Sequence, residues 1–212
     1  MAREKLRFQA FLKLIFRAFF RLCAKIRVIG LENIPDHPPY VVFSNHISWY
    51  DPVLVSSFMP DPVHIMAMEG LFAFPPLGFL MRSVGAFPVS RGSLDRRAIE
   101  GAIDILTNEG VVFIFPEGGI GRLERGDQMR PGISLIAQRT NVPLVPIGIS
   151  GCRGLYNPIK LLLRRVTVTI RIGKPFISSS LANLTGKKMR MAAMDRIRSE
   201  LCALTEREAL LV

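Results

Sequence analysis

A chain of 212 residues is long enough for one domain with a sizeable core. It is 49% hydrophobic, but it has no run of about 18 uncharged apolar residues, which excludes a clear transmembrane helix. Its net charge of +11 comes from 28 basic and 17 acidic residues. A basic and apolar chain predicts an anionic partner that also offers hydrophobic surface, and anionic lipid fits better than nucleic acid. The alternative is that the charge only keeps the protein soluble.

The cysteines give no sign of a disulfide framework. Cys23, Cys152 and Cys202 are odd in number and widely spaced, and no CxxC pair or metal-ligand cluster accompanies them. This usage predicts a reduced, cytoplasmic setting. The N-terminus has no small-residue cleavage site after an apolar core, which argues against a secretory signal.

The N-terminal segment has the pattern of a long amphipathic helix without proline or glycine. Basic side chains recur every four residues, at Lys13, Arg17, Arg21 and Lys25. They form one stripe on a helix whose remaining circumference is Phe, Leu, Ile and Ala. Residues 1–27 are therefore predicted to be a membrane-associating helix with this basic stripe on anionic lipid. The alternative is an ordinary helix packed on the domain core with its charges outward.

From residue 28 onward, short apolar runs alternate with amphipathic stretches, which predicts one α/β domain over 28–212. The predicted strands are 40–44, 63–67, 85–89, 111–115, 143–149 and 166–172. The predicted helices are 52–59, 76–83, 93–108, 132–140 and 187–208. Two of the strands are apolar on both faces, as in a mainly parallel central sheet flanked by helices. The alternating run 167–172 is predicted to be a half-exposed strand near an edge.

A histidine and an aspartate follow the first predicted strand, five residues apart, at His46 and Asp51. Such a pair is the minimum apparatus for removing a proton from a hydroxyl, because the carboxylate fixes the histidine tautomer and stabilises the imidazolium. Asp51 precedes Pro52, and Asp followed by Pro is typical of a helix start. A helix from Pro52 leaves His46 in the preceding turn, with Asp51 at the helix entrance. Singly, Asp51 is equally a cap and His46 a polar turn residue.

Two more polar clusters follow predicted strands: Arg91 comes after 85–89, and residues 116–119 come after 111–115. Ligands of open α/β sheets bind where strands end, so the clusters are expected to share one site. Arginine grips a phosphate through its planar donors, and the glycines at 118, 119 and 121 allow backbone amides to approach an anion. The alternative for each feature taken singly is that Arg91 is a surface residue and that the glycines form a plain turn.

Together these clusters resemble the four sequence blocks of the glycerolipid acyltransferase family, which includes 1-acylglycerol-3-phosphate acyltransferases. The first block is Asn45-His46 with Asp51, and the second ends in Arg91 after an apolar strand. The third is Phe-Pro-Glu-Gly at 115–118, and the fourth is the Val-Pro-rich segment 142–146. All four occur in the family's order.

The resemblance implies an acyl transfer without an acyl-enzyme. His46 would be the general base, Asp51 would orient it, and the acceptor alkoxide would attack the thioester of acyl-CoA or an acyl-carrier protein. Arg91 would bind the phosphate of 1-acylglycerol-3-phosphate (lysophosphatidate). The other acceptor-site residues implied are Asn45, Glu117, Gly118 and Gly119. No metal or organic cofactor is implied, and the domain would lie on the cytoplasmic face of the cell membrane, monotopic or peripheral.

The chain departs from the family pattern in two places. The third block usually continues Thr-Arg-Ser, but Ile120 stands where a second phosphate-contacting arginine is common, and Arg122 is the candidate substitute. The family also often has a lysine near Met68 and Glu69. Lysophosphatidate is therefore the leading acceptor, and a lyso-aminolipid or glycolipid is the alternative. A non-catalytic membrane-binding protein on the same fold is a further alternative, whereas no recognisable nucleic-acid module is present.

Overall fold

The structure is a computed structural model that describes residues 2–90, 95–157, 159–160, 165–178 and 186–206. Its strands are β1 Lys25–Ile29, β2 Tyr40–Ser44, β3 Val63–Met68, β4 Phe87–Val89, β5 Val111–Ile114, β6 Leu144–Ser150 and β7 Thr167–Ile172. Its helices are α1 Ala2–Cys23, α2 Asp51–Phe58, α3 Pro75–Ser83, α4 Arg96–Thr107, α5 Gly132–Thr140 and α6 Gly186–Glu206. A short 3-10 helix, Cys152–Tyr156, follows β6 and is called the 152–156 turn below.

The strands form one seven-stranded sheet in the order β1-β7-β6-β2-β5-β3-β4. Every pairing is parallel except that of β6 with β7. This confirms the predicted mainly parallel α/β fold. The central strands β2 and β5 are buried along their whole length, as their unbroken apolar runs require. Because they run parallel and in register, the loops that follow them leave the same edge of the sheet.

The alternation of side chains along β2 divides the core into two layers. Tyr40 and Val42 face the layer that contains Phe20 of α1 and Leu54 of α2. Val41 and Phe43 face the layer built by α4, α5 and α6. Thus α1 and α6 cover opposite faces of the sheet.

The run 167–172 lies next to the edge of the sheet, as predicted, and β1 pairs with it in parallel on its outer side. Its side chains are mostly buried rather than half-exposed. Residues 25–27 belong to β1, so the N-terminal helix ends at Cys23 rather than at 27. The backbone explains the change, since the N–H of Lys25 donates to the carbonyl of Val166 at 2.8 Å. Ala24 is buried at the junction of helix and strand.

Two residues of the basic stripe of α1, Lys13 and Arg17, lie against the protein. The Lys13 Nζ donates to the carbonyl of Pro60 at 2.9 Å, and the Arg17 Nε donates to that of Ser57 at 2.7 Å. Ser57 is in the last turn of α2, where helix carbonyls lack partners and attract cations, and Pro60 follows shortly after the helix. Burial, together with neighbouring Arg17, lowers the pKa of Lys13 to about 8.

The other two stripe residues are placed differently. The Arg21 guanidinium lies 5.6 Å from the ring centre of Phe58, and Lys25 is exposed in β1. The lipid contact of the stripe stays a prediction, although the side chains of Lys13 and Arg17 are engaged at the end of α2. The outward side of α1 carries large apolar side chains that are 44–69% exposed, namely Phe8, Phe11, Leu14, Ile15, Phe19 and Leu22. Among the described residues, no helix has the length and apolarity needed to cross a bilayer.

Candidate active site

The turn between β2 and α2 brings His46 and Asp51 into contact. The Nδ1 atom of His46 is 3.0 Å from Oδ2 of Asp51. The same oxygen accepts the main-chain N–H groups of Ile47 and Ser48, each at 2.7 Å. Helix α2 begins at Asp51, one residue earlier than predicted, and the carboxylate binds the turn before the helix instead of capping it. The five-residue spacing therefore works because a turn, not a helix, separates the two side chains.

The hydrogen bond to Asp51 determines which histidine nitrogen can act as a base. A carboxylate only accepts, so Nδ1 of His46 carries the proton and Nε2 keeps its lone pair. The ring stacks on Phe115 with 4.1 Å between ring centres. The His46 side chain is 14% exposed, whereas Asp51 is fully buried. The pair is thus an oriented imidazole with a buried carboxylate behind it.

Glu117 holds the main chain of His46 rather than an open acceptor site. Its Oε1 accepts the N–H of His46 at 2.8 Å, and its Oε2 accepts the N–H of Leu123 at 2.7 Å. The side chain is only 1% exposed, and burial raises the pKa of Glu117 against the lowering effect of these hydrogen bonds. Glu117 therefore joins the loop after β5 to the loop after β2, which makes it a positioning residue.

The glycines of this loop serve its folding. Gly118 has φ +65° and Gly121 has φ +68°, a region that favours glycine. The N–H of Gly118 donates to the carbonyl of Phe115 at 3.0 Å, and that of Gly121 donates to the carbonyl of His46 at 2.6 Å. These two amides are therefore engaged inside the protein, which corrects the expectation that they meet an anion. For Gly119 the anion-binding role stays a prediction.

Two other predicted acceptor residues also have protein partners. Asn45 is buried, and its amide exchanges two hydrogen bonds with the main chain of Ile149 in β6, at 2.9 and 2.7 Å. The Arg122 Nε donates to Oδ2 of Asp127 at 2.8 Å, and this guanidinium lowers the pKa of the aspartate. Arg122 thus forms an ion pair instead of replacing the missing arginine in an open site. Arg91 lies outside the described residues, and its phosphate-binding role stays a prediction.

One contact of the site has no signal in the sequence. The Tyr156 Oη accepts the N–H of Trp49 at 2.7 Å and the hydroxyl of Ser48 at 3.0 Å. Tyr156 lies 107 residues after Trp49, in a segment that carries no recognised motif. The contact forms because β6, which precedes Tyr156, pairs in parallel with β2, which precedes Trp49. Within the described residues, no cluster of three or more His, Cys, Asp or Glu side chains is arranged to hold a metal ion.

The His46–Asp51 pair is arranged to act as a general base. A neutral imidazole with a free Nε2 can remove a proton from a hydroxyl as it attacks an acyl group, and the buried carboxylate stabilises the imidazolium that results. Strands β2 and β5, which lead into His46 and Glu117, end at the same edge of the sheet. Open α/β sheets bind their ligands at this edge.

Comparison with known proteins places this site in a family. A sequence model described as Acyltransferase matches residues 25–150. The 1-acyl-sn-glycerol-3-phosphate acyltransferase of Bacillus subtilis is 29% identical over 170 residues, which cover 80% of this chain and 82% of the relative. The Saccharomyces cerevisiae protein of the same name is 27% identical over 83% of this chain and 58% of the relative.

A solved structure shares the fold. The crystal structure of the 1-acyl-sn-glycerophosphate (LPA) acyltransferase PlsC from Thermotoga maritima superposes with a TM-score of 0.66. It covers 92% of this chain and 79% of that chain, at 23% identity. The segment matched by the family model contains His46, Asp51 and Glu117. The chain therefore belongs to the acyltransferase family of enzymes.

Proposed function

We propose that the protein transfers a fatty acyl group to the free hydroxyl of a lysophospholipid, 1-acylglycerol-3-phosphate, giving phosphatidic acid. The observation that carries this proposal is the 3.0 Å contact between Nδ1 of His46 and Oδ2 of Asp51 at the end of β2. The names of the Bacillus and yeast relatives support the acceptor.

The acyl group passes directly from the thioester to the acceptor hydroxyl, without an acyl-enzyme. Nε2 of His46 takes the proton of the acceptor hydroxyl while its oxygen attacks the thioester carbonyl. The new C–O bond forms, a tetrahedral oxyanion collapses, and the C–S bond breaks. The departing thiolate of CoA or acyl-carrier protein receives the proton from the imidazolium. Asp51 stabilises the imidazolium between these two proton transfers.

The acceptor's head group is tested by crossing acceptors with donors. Lysophosphatidate, a monoacylglycerol without phosphate, and a lyso-aminolipid are each offered with acyl-CoA and with acyl-carrier protein, and free thiol is measured. Lysophosphatidate is expected to have the highest kcat/KM, because Arg91 grips its phosphate. A higher value for the lyso-aminolipid contradicts the phosphate assignment. Absence of thiol release with every pair contradicts acyl transfer itself.

The outward face of α1 supports attachment to a membrane surface. Among the described residues, nothing packs over its large apolar side chains. Helix α3 contacts α1, and Phe79 of α3 and Phe74 just before it are exposed too. Such apolar area sinks into the headgroup region of a bilayer, and the net charge of +11 favours anionic lipid. Membrane attachment at the cytoplasmic face is therefore part of the proposal, driven by apolar burial on α1 more than by Lys13 and Arg17.

Replacing Leu14 with glutamate is expected to weaken binding to phosphatidylglycerol-containing vesicles about tenfold or more, because an apolar contact is lost and a negative charge is added. Vesicle co-sedimentation measures it. Met191→Glu is the matched control, since Met191 is similarly exposed on α6, on the opposite face of the sheet. Equal binding of both variants contradicts this orientation. Point variants are preferable to deleting α1, because Phe20 and Ala24 belong to the core.

A further inference from the structure

The 152–156 turn carries no assigned role, yet it contacts both loops of the active site. Gly151, which precedes it, has φ +79°, and a Cβ there would lie 2.0 Å from the carbonyl oxygen of Thr167. The chain therefore needs glycine to make this sharp exit from β6. Arg153 forms an ion pair with Glu124 in the loop that follows β5, and Tyr156 reaches the loop that follows β2.

Tyr156 completes the hydrogen bonding of the turn that holds His46 and Asp51. The N–H groups of Ile47 and Ser48 donate to Asp51, and the N–H of Tyr50 donates to the Ser48 hydroxyl at 3.1 Å. The N–H of Trp49 donates to Tyr156 Oη. Each main-chain N–H from 47 to 50 thus has an acceptor, and Tyr156 supplies the acceptor that comes from a distant element. Without it, the Trp49 amide depends on water.

We infer that the 152–156 turn is a positioning element of the active site, in which the Tyr156 hydroxyl fixes the main chain between His46 and Asp51. The inference rests on the proposed function, because it assumes that His46 and Asp51 carry out the transfer. Tyr156 does not touch the reacting atoms. The effect on the reaction comes from keeping His46 in the geometry that the proton transfer needs.

Tyr156→Phe tests the hydroxyl alone, since the ring and its contact with Tyr50 at 5.4 Å between ring centres remain. It is expected to lower kcat roughly 10- to 100-fold, the scale of a small misplacement of catalytic groups. The KM values for both substrates are expected to change less than about twofold, because binding groups are untouched. An unchanged kcat in this variant overturns the inference for Tyr156.

A readout without substrate separates failure of this inference from failure of the proposed function. The single tryptophan, Trp49, is 60% exposed within the turn, and its fluorescence quenching by acrylamide reports the turn's mobility. The downfield proton NMR signal of His46 Nδ1–H reports the contact with Asp51. Tyr156→Phe is expected to increase quenching and to shift or broaden the proton signal. If both readouts stay unchanged, the inference is overturned even in a protein that shows no acyl transfer.

Discussion

His46→Ala is expected to lower kcat for acyl transfer about 10²- to 10⁴-fold, the contribution of a positioned general base. The loss falls on kcat because the lone pair of Nε2 acts on the hydroxyl proton, whereas the described hydrogen bonds that hold this loop use the main chain of residue 46. The rate of thiol release at saturating donor and acceptor measures the effect.

The fold is expected to survive this substitution. Alanine keeps the N–H that donates to Glu117 and the carbonyl that accepts from Gly121. Only the stacking on Phe115 and the contact with Asp51 are lost, so the free energy of unfolding falls by about 1–2 kcal/mol. His37→Ala, in an exposed loop before β2, is the matched control and leaves kcat unchanged. Full activity in a folded His46→Ala protein refutes the general-base role.

Asp51→Asn is expected to reduce kcat on the order of 10³- to 10⁴-fold by changing the tautomer of His46. The asparagine amide donates to Nδ1, which places the proton on Nε2 and removes the lone pair that the reaction uses. Like His46→Ala, this change also affects stability, here because Asp51 is fully buried and accepts the amides of Ile47 and Ser48. A loss of about 1–3 kcal/mol in unfolding free energy is expected in thermal or urea unfolding.

The double variant His46→Ala/Asp51→Asn gives the sharper test. If Asp51 acts through His46, the double variant has the same kcat as His46→Ala alone, because residues that act as a unit are not additive. A multiplicative loss shows instead that Asp51 contributes by another route. Asp36→Asn is the control for the charge change, since Asp36 is exposed in the loop before β2.

The placement of α1 connects the membrane proposal to the chemistry. Phe20 of α1 lies 6.4 Å, between ring centres, from Tyr50 in the turn that carries His46 and Asp51. Trp49 and Tyr50 of that turn are both exposed, and such aromatic side chains favour the membrane–water interface. In the proposed membrane-bound state, α1 would hold this turn close to the layer where a lysolipid presents its hydroxyl.

The sequence by itself determined the elements with strong local patterns. The apolar runs of β2, β5 and β6 predict buried strands, since short apolar runs bounded by turn residues fit strands better than helices, which are usually longer. The His46 to Asp51 spacing followed by Pro52 predicts the proton-transfer pair, because proline restricts the local backbone and lets a turn fold the two side chains together. The four blocks in order predict the family.

The tertiary structure alone decided which faces and which distant partners these elements use. Helical periodicity places Lys13 and Arg17 on one stripe, but only the packing of α1 on α2 shows that these two side chains contact the protein while large apolar side chains face outward. The short strand β1 exists because β7 supplies its partner some 140 residues later. Asn45, Glu117 and Tyr156 form hydrogen bonds to a strand and to loops far away in sequence. Such contacts depend on how parallel strands meet at one sheet edge, a property of the whole fold and not of any local segment.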